Sequence, residues 1–350
     1  MVDQFGRTID YMRLSITDRC NLRCQYCMPD GVVPVDHTDV LTYEEFLQVA
    51  AAGVALGITK FKVTGGEPLA RLGCVDFLAR LKALPGVEQV TLTTNGVLLA
   101  PLVPRLVELG IDGVNVSLDA PDRETFAAVT GFDVLPKVLE SLDALLAAGI
   151  KTKLNCVLLP GCEERLIPLA RFAQQGLDVR FIEVMPIGAG AAESGASRDA
   201  ALEILRWEWP DLHEVNEHRG NGPAHYYASA ALAGRIGMID AVSQKFCAGC
   251  NRVRLTSTGL LKPCLCYGEG ADLRAVLRGL PDALRKRPDA LQKQPGALQE
   301  QPRALRERPD MQPDMLTETL RAAIYAKPQA HCFDSAQHIT EQKSMSQIGG

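Results

Sequence analysis

Three cysteines, Cys20, Cys24 and Cys27, stand in a C-x3-C-x2-C pattern after a strand-like run at 12–17 and before the turn Pro29-Asp30-Gly31. Three thiolates at this pitch on one short loop can hold three corners of a cubic iron–sulfur cluster, leaving the fourth iron without a protein ligand. An open coordination position is what a reactive metal centre requires. A zinc site is the competing use, but it needs a fourth Cys or His, and the nearest, His37, lies at an odd spacing. Three incidental core cysteines are the plainer alternative. Ligand count and spacing favour the cluster.

A second set follows far down the chain: Cys247 and Cys250 in C-x2-C spacing, then Cys264. This pattern suits either zinc or iron–sulfur. Cys266 offers a possible fourth ligand, which favours a closed structural site. The intervening stretch 251–256 alternates with period two and places Arg252 and Arg254 on one face of a strand. Two guanidiniums beside a metal site suit a bidentate grip on phosphate or carboxylate. A solvated strand face with ion pairs is the plain reading, and the adjoining cysteines outweigh it.

These residues need a scaffold, and the chain between 12 and 186 alternates strand-like and helix-like segments. Strands are predicted at 12–17, 60–64, 89–94, 114–118, 152–159 and 179–185, with helices over 43–56, 74–84, 99–109, 134–148 and 163–175. Such alternation gives a parallel sheet wrapped by helices. Six units are too few for an eight-stranded barrel, so the expected fold is α/β, a partial (β/α)6 TIM-like barrel; a doubly wound sheet is the rival. In barrels the loops at the carboxyl ends of the strands build the active site. Those ends carry the cysteine loop, Gly65-Gly66-Glu67-Pro68, Thr93-Thr94-Asn95-Gly96, Ser117-Leu118-Asp119, Asn155 and Glu183-Val184-Met185-Pro186. The glycine pair admits a ligand close to the backbone, and Glu67 can accept from an ammonium group.

The expected division is a barrel over 1–186 and a C-terminal α+β iron–sulfur region over 187–350. In the latter, 188–192 reads as a flexible loop, 198–207 as a helix, and 225–228 and 235–239 as strands. His213, His218 and His225 have no ligand spacing and read as surface residues. Trp207 and Trp209 read as packing residues. Cys74, Cys156, Cys162 and Cys332 read as ordinary thiols.

With 350 residues, 47% hydrophobic and 23% charged, the composition is that of an ordinary globular protein. A net charge of -5 gives no reason to expect nucleic acid as a partner. The N-terminus lacks the basic start and apolar run of a signal peptide, and no apolar run is long enough to span a membrane. Eleven cysteines without an export signal indicate metal binding in a reducing cytoplasm rather than a disulfide framework.

The first cysteine loop followed by Gly65-Gly66-Glu67-Pro68 resembles the radical S-adenosylmethionine superfamily. The resemblance implies that the open iron binds the methionine amine and carboxylate of S-adenosylmethionine. It also implies that Tyr26, Gly65, Gly66, Glu67, Ser117 and Met185 contact that cofactor. The segments 246–255 and Lys262-Pro263-Cys264, the context Thr17-Asp18-Arg19-Cys20-Asn21 and the ending Ile348-Gly349-Gly350 narrow it to the GTP 3′,8-cyclase family of molybdenum cofactor biosynthesis. That narrower resemblance implies a second [4Fe–4S] cluster on Cys247, Cys250 and Cys264, with GTP as substrate. It implies a radical that takes hydrogen from ribose C3′, after which C3′ bonds to guanine C8. Positions matching the family's substrate contacts are Arg13, Lys62, Thr93, Lys153, Arg180, Arg252 and Arg254. A triphosphate needs such cations. Lys62 departs from the arginine usual at its place and loses the bidentate fork. Gly349 and Gly350 take a catalytic role, with the tail entering the pocket. Further implied partners are an electron donor, a downstream cyclic pyranopterin monophosphate synthase and a second copy of the chain in a homodimer.

Two departures from the family stand out. Cys266 occupies a usually apolar position and can compete as a ligand. Residues 281–310 form a seven-residue repeat, Pro-x-Ala-Leu in each unit. A proline per unit breaks any long helix, so an inserted, mobile excursion over 280–314 is expected.

Overall fold

The computed structural model describes residues 1–31, 35–192, 195–279, 312–333 and 336–349. The repeat at 281–310 and Gly350 lie outside the described residues.

Six parallel strands come first: β1 (Tyr11–Ser15), β2 (Lys60–Thr64), β3 (Gln89–Thr94), β4 (Gly113–Ser117), β5 (Thr152–Val157) and β6 (Asp178–Ile182). Helices α1 (Tyr43–Ala55), α2 (Cys74–Lys82), α3 (Val103–Glu108), α4 (Arg123–Thr130), α5 (Leu135–Ala147) and α6 (Glu163–Ala170) connect them. The strands lie side by side in chain order with no reversal. A doubly wound sheet reverses order at a switch point, so the partial barrel is the fold.

Sequence chemistry explains the elements. Thr42 accepts from the Glu45 amide at 3.1 Å while its own amide donates to Glu45 Oε2 at 2.7 Å, a reciprocal cap that starts α1. Phe46, Val49 and Ala50 then bury one face of that helix. The strands alternate: Met12 and Leu14 of β1 are fully buried in the hydrophobic core, while Tyr11 and Arg13 point the other way, into the concave face. The helix α4, capped by Asp122 accepting from Thr125 N at 2.9 Å, was not foreseen from the pattern.

The later strands are β7 (His213–Val215), β8 (His225–Ala228), β9 (Ile236–Ile239), β10 (Arg252–Leu255), β11 (Leu260–Lys262) and β12 (Ala271–Asp272). They extend both edges of the same sheet: β10 runs parallel to β1, and β9 parallel to β6. Among the described residues the sheet has twelve strands in the order β12-β11-β10-β1-β2-β3-β4-β5-β6-β9-β8-β7 and stays open. The change of pattern near residue 187 is therefore not a break in the sheet. Among the described residues the remaining helices are α7 (Arg198–Glu208), α8 (Leu273–Leu277) and α9 (Gln312–Tyr325), and α9 packs on α1 and α8. Among the described residues no helix is long and apolar enough to cross a membrane.

Several expectations need correction. Residues 188–192 form a 3-10 turn, not a flexible loop. Trp209 is buried, but Trp207 is 79% exposed because it lies on the outer face of α7, whose buried residues are Ala201, Leu202 and Leu205. Cys332 is not an ordinary thiol, and Cys266 is not a ligand candidate. The two form a disulfide that ties the loop after Cys264 to the C-terminal segment. Neither spacing nor composition could show this, because the partners lie 66 residues apart.

Candidate active site

Strand register brings the predicted residues together. Arg13 lies opposite Lys62 on one side and Arg254 on the other. Thr93 and Lys153 flank Asn115, and Asn155 lies opposite Arg180. Residues paired across parallel strands point to the same face, so a belt of cations crosses the concave surface. This face closes around a cavity of about 790 Å³, within the range of enclosed ligand sites. Cys20, Cys24, Cys27, Cys247, Cys250 and Cys264 all line it. So do Arg13, Lys62, Thr93, Lys153, Arg180, Arg252 and Arg254, and also Tyr26, Gly65, Gly66, Ser117 and Met185. His218, expected merely at the surface, stands at its rim.

The belt is electrostatically costly. Burial pulls Lys62 well below the usual lysine range, and Arg180, Arg13, Lys153 and Arg252 pull it further. Burial and Arg180 hold Lys153 at about 8. Arg254 is likewise lowered by burial, Arg13 and Arg252. Among the described residues no carboxylate forms an ion pair with Lys62, Lys153, Arg180, Arg252 or Arg254. With its amide turned to suit its neighbours, Asn115 accepts from Lys62 and, at 3.1 Å, from Arg180. The same arginine donates to Asn155 Oδ1 at 2.5 Å. Asn115 escaped the sequence reading; its signal was an amide inside an otherwise apolar strand. Concentrated buried positive charge calls for a polyanion.

Both cysteine triads fit iron–sulfur clusters. Burial raises all three thiols of the first loop: Cys24 climbs further beside Asp119 and its two neighbours, and Cys27 reaches about 11. As bare thiolates they are therefore unfavourable, and cationic irons offset that. Among the described residues no three Cys, His, Asp or Glu side chains are grouped to hold one metal ion. A cubane takes one thiolate per iron and so sets its ligands wider apart. Asn95 donates to Cys20 Sγ at 3.7 Å and to Asn21 at 2.7 Å, and Leu22 N points at Cys20 Sγ at 3.4 Å. In the second set, the amide of His331 donates to Cys247 Sγ at 3.3 Å. Burial pushes Cys250 up, yet Lys327 and Arg252 outweigh it and leave the thiol below its ordinary value.

The Gly65-Gly66-Glu67 turn works differently from expectation. A Cβ on Gly66 would stand 2.4 Å from the Arg19 carbonyl oxygen, and one on Gly65 2.6 Å from that of Thr17. The glycines admit the backbone leading into the cysteine loop; Gly66 N donates to Thr17 O at 2.7 Å and Glu67 N to Arg19 O at 2.8 Å. The Glu67 carboxylate is buried and accepts from Leu69 N, Thr94 Oγ1 and Asn95 N at 2.7–2.9 Å. It is not among the residues that line the cavity, and its carboxylate holds the turn. Desolvation raises it to about 7. Tyr26 donates to buried Asp119 at 2.8 Å, locking the cysteine loop to the end of β4.

The C-terminal segment completes the cavity wall. Arg254 donates to the carbonyl of Gly349 at 2.7 Å. Ser346 hydrogen-bonds Cys27 through both its amide and its hydroxyl. Buried Lys262 pairs with buried Glu341. Two residues act by positioning others; Arg7 escaped the sequence reading, and Glu183 was marked there only as part of a strand end. Arg7, ion-paired to Asp3 at 2.6 Å, donates to the carbonyls of Cys247, Pro328 and Gln329 at 2.7–3.0 Å. Glu183 accepts from Val242 N, Ser243 N and Ser243 Oγ at 2.5–2.9 Å, tethering the approach to the second cysteine set. The i,i+4 pairing of Asp3 with Arg7 was the available signal for the first.

Comparison with known proteins places this geometry. Residues 14–173 match the Radical SAM superfamily, and residues 177–297 match Molybdenum Cofactor Synthesis C. A GTP 3′,8-cyclase of Clostridium perfringens is 36% identical over 354 aligned positions, covering 100% of both chains. One from Alkaliphilus oremlandii is 38% identical with the same coverage, and one from Erythrobacter litoralis is 43% identical over 79% of this chain and 85% of its own. Among solved structures, Streptococcus suis SuiB bound to S-adenosylmethionine superposes with a TM-score of 0.59 at 12% identity, covering 97% of this chain and 78% of that one, a likeness of fold. Across its whole length the chain belongs to the GTP 3′,8-cyclase family of the radical S-adenosylmethionine superfamily, whose chemistry uses S-adenosylmethionine and an iron–sulfur cluster.

Proposed function

We propose that the chain converts GTP to (8S)-3′,8-cyclo-7,8-dihydroguanosine 5′-triphosphate, the first step of molybdopterin biosynthesis. When bound, the first cluster and S-adenosylmethionine supply a 5′-deoxyadenosyl radical that takes the ribose C3′ hydrogen, after which C3′ bonds to guanine C8. In this reading Cys20, Cys24 and Cys27 hold the first cluster. Tyr26, Gly65, Gly66, Ser117 and Met185 place S-adenosylmethionine against it, with Glu67 holding their turn. Cys247, Cys250 and Cys264 hold a second [4Fe–4S] cluster at the guanine end. Arg13, Lys62, Lys153, Arg180, Arg252 and Arg254 grip the triphosphate, with Thr93 beside them. Gly349 and Gly350 take a catalytic role at the tail, which enters the pocket.

The observation that supports this reading is the belt of buried cations between two thiol triads in one cavity. A peptide substrate gives no reason to bury so much positive charge. The reaction also needs a one-electron donor, and its product needs an enzyme that rearranges a cyclised nucleotide, the role of cyclic pyranopterin monophosphate synthase. The family resemblance adds a homodimer, which sedimentation of the purified chain measures.

The test is anaerobic reconstitution with iron and sulfide, then mixing with reductant, S-adenosylmethionine and GTP. The expected products are 5′-deoxyadenosine and the cyclised nucleotide, seen by mass spectrometry. Unchanged GTP with about eight irons bound, two cubanes' worth, sinks the proposal. For the second cluster, Cys250→Ala should lower the iron count by about four; an unchanged count removes that cluster from the scheme.

A further inference from the structure

Lys327 follows α9 and is 2% exposed, yet it carries an ammonium group at the cavity wall. That ammonium stands beside the Cys250 and Cys264 thiols at the cavity wall and donates to the carbonyl of Pro263, the residue before Cys264. It is thus committed to the loop that carries the second cysteine set. Arg252 also stands near Cys250, but its Nε is buried without a hydrogen-bond partner among the described residues, and it lies in the cation belt. The two cations are placed for different tasks.

The backbone around Lys327 is held from elsewhere. Arg7 donates to the carbonyls of Pro328 and Gln329 at 2.7 and 2.9 Å while its other ties reach Asp3 and Cys247. Gln4 Nε2 donates to the Lys327 carbonyl at 3.3 Å. The lysine is delivered to the thiols on a rigid support, so its charge stays close to them when the ligand set changes.

We propose that Lys327 is a positioning residue of the second cluster, its ammonium held beside the Cys250 and Cys264 thiolates by the Pro263 carbonyl so as to stabilise the cluster's more negative, reduced state. This rests on the reading that Cys247, Cys250 and Cys264 hold an iron–sulfur cluster. Hydrogen bonds and net charge at the sulfurs are levers on the potential of such clusters. A fixed cation in a dry wall acts on nearby charge more strongly than one in water. The amide of His331 on Cys247 adds an uncharged donor on the opposite ligand.

The test isolates the second cluster in a full-length chain with Cys20, Cys24 and Cys27 replaced by Ala, reconstituted anaerobically. About four irons per chain are expected; if none bind, the second-cluster reading itself fails, whatever Lys327 does. In a redox titration followed by electron paramagnetic resonance, Lys327→Met should lower the reduced-to-oxidised ratio at a set potential at least tenfold, about 59 mV for one electron. Lys327→Arg should restore most of it. If the Met variant binds no iron, Lys327→Gln, which keeps an N–H donor without the charge, takes its place and should move the same way. A four-iron cluster whose potential is the same with Lys, Gln and Met overturns the proposal. So does a shift of equal size at the first cluster when Lys327→Met is titrated in the chain with both cysteine sets, since a general loosening, not the local charge, then explains it.

Discussion

Arg254 Nη1 donates to the carbonyl oxygen of Gly349 at 2.7 Å, joining residues 95 positions apart. The arginine comes from β10, which reaches β1 only because the sheet extends past its first six strands. Gly349 has φ of +71°, and a Cβ there would stand 3.0 Å from Ser15 Cβ and 3.1 Å from Thr64 Cγ2. Conformation and space both require glycine. The seat is formed even though the repeat precedes it.

Loss of that contact should show in turnover before it shows in iron. Arg254→Ala removes a charge-assisted bond worth about 1.5–3 kcal/mol, so kcat/KM for GTP should fall about tenfold to a hundredfold. Gly349→Ala should fall in the same direction with the iron content unchanged. Both are read by product formation and iron assay; normal turnover in both variants removes the tail from the catalytic scheme.

Glu67→Gln should destabilise the chain by about 1–3 kcal/mol. The two carboxylate oxygens accept three bonds, and a carboxamide turns one acceptor into a donor facing an N–H or O–H. Its acid form is favoured by burial up to about 7 in the folded chain. The folded state therefore keeps a proton that the unfolded state has lost, and stability falls as pH rises from the usual glutamate range to 7, by about 3 kcal/mol. Chemical denaturation across that range should show this slope in the wild type and lose it in the variant.

Ser346→Ala should lower the potential of the first cluster, because the hydroxyl on Cys27 is lost while the amide remains. One neutral hydrogen bond is worth about 1 kcal/mol, so the shift is smaller than that expected at Lys327. A redox titration of the chain carrying only the first cysteine set measures it.

The ligand-free chain and the GTP complex should respond to pH with opposite signs. Lys153 titrates near 8 because burial and Arg180 disfavour its charge. Its folded value lies below its unfolded one, so its penalty on folding is relieved as pH rises from about 8 toward the ordinary lysine range. A triphosphate prefers the charged form, so KM for GTP should climb over the same range. Lys153→Met should flatten the KM profile; a profile as steep as the wild type's assigns the titration elsewhere.

The six-stranded core was legible because period-two strands and capped amphipathic helices are local patterns; β2 and β3 fall where the alternation placed them. Both cysteine triads were legible from spacing, and the arginines of β10 from alternation. The hold of Glu67 on its own turn was not legible, since Thr94 and Asn95 reach its carboxylate only in the folded chain. Asn115, Arg7 and Lys327 were missed, since their meaning depends on partners brought near only by the sheet and by α9. The Cys266–Cys332 bond belongs with them.

By itself the sequence determined which groups are present and the local geometry each short segment prefers: thiols at cluster pitch, strands that alternate, glycines where backbones crowd. Tertiary structure decided that the two triads share one cavity, that six cations from five strands face each other, and that Gly349 meets Arg254. Hydrophobic periodicity sets which side of a strand is buried, whereas strand order and parallel register set which buried side chains meet, and those depend on contacts far apart in the chain.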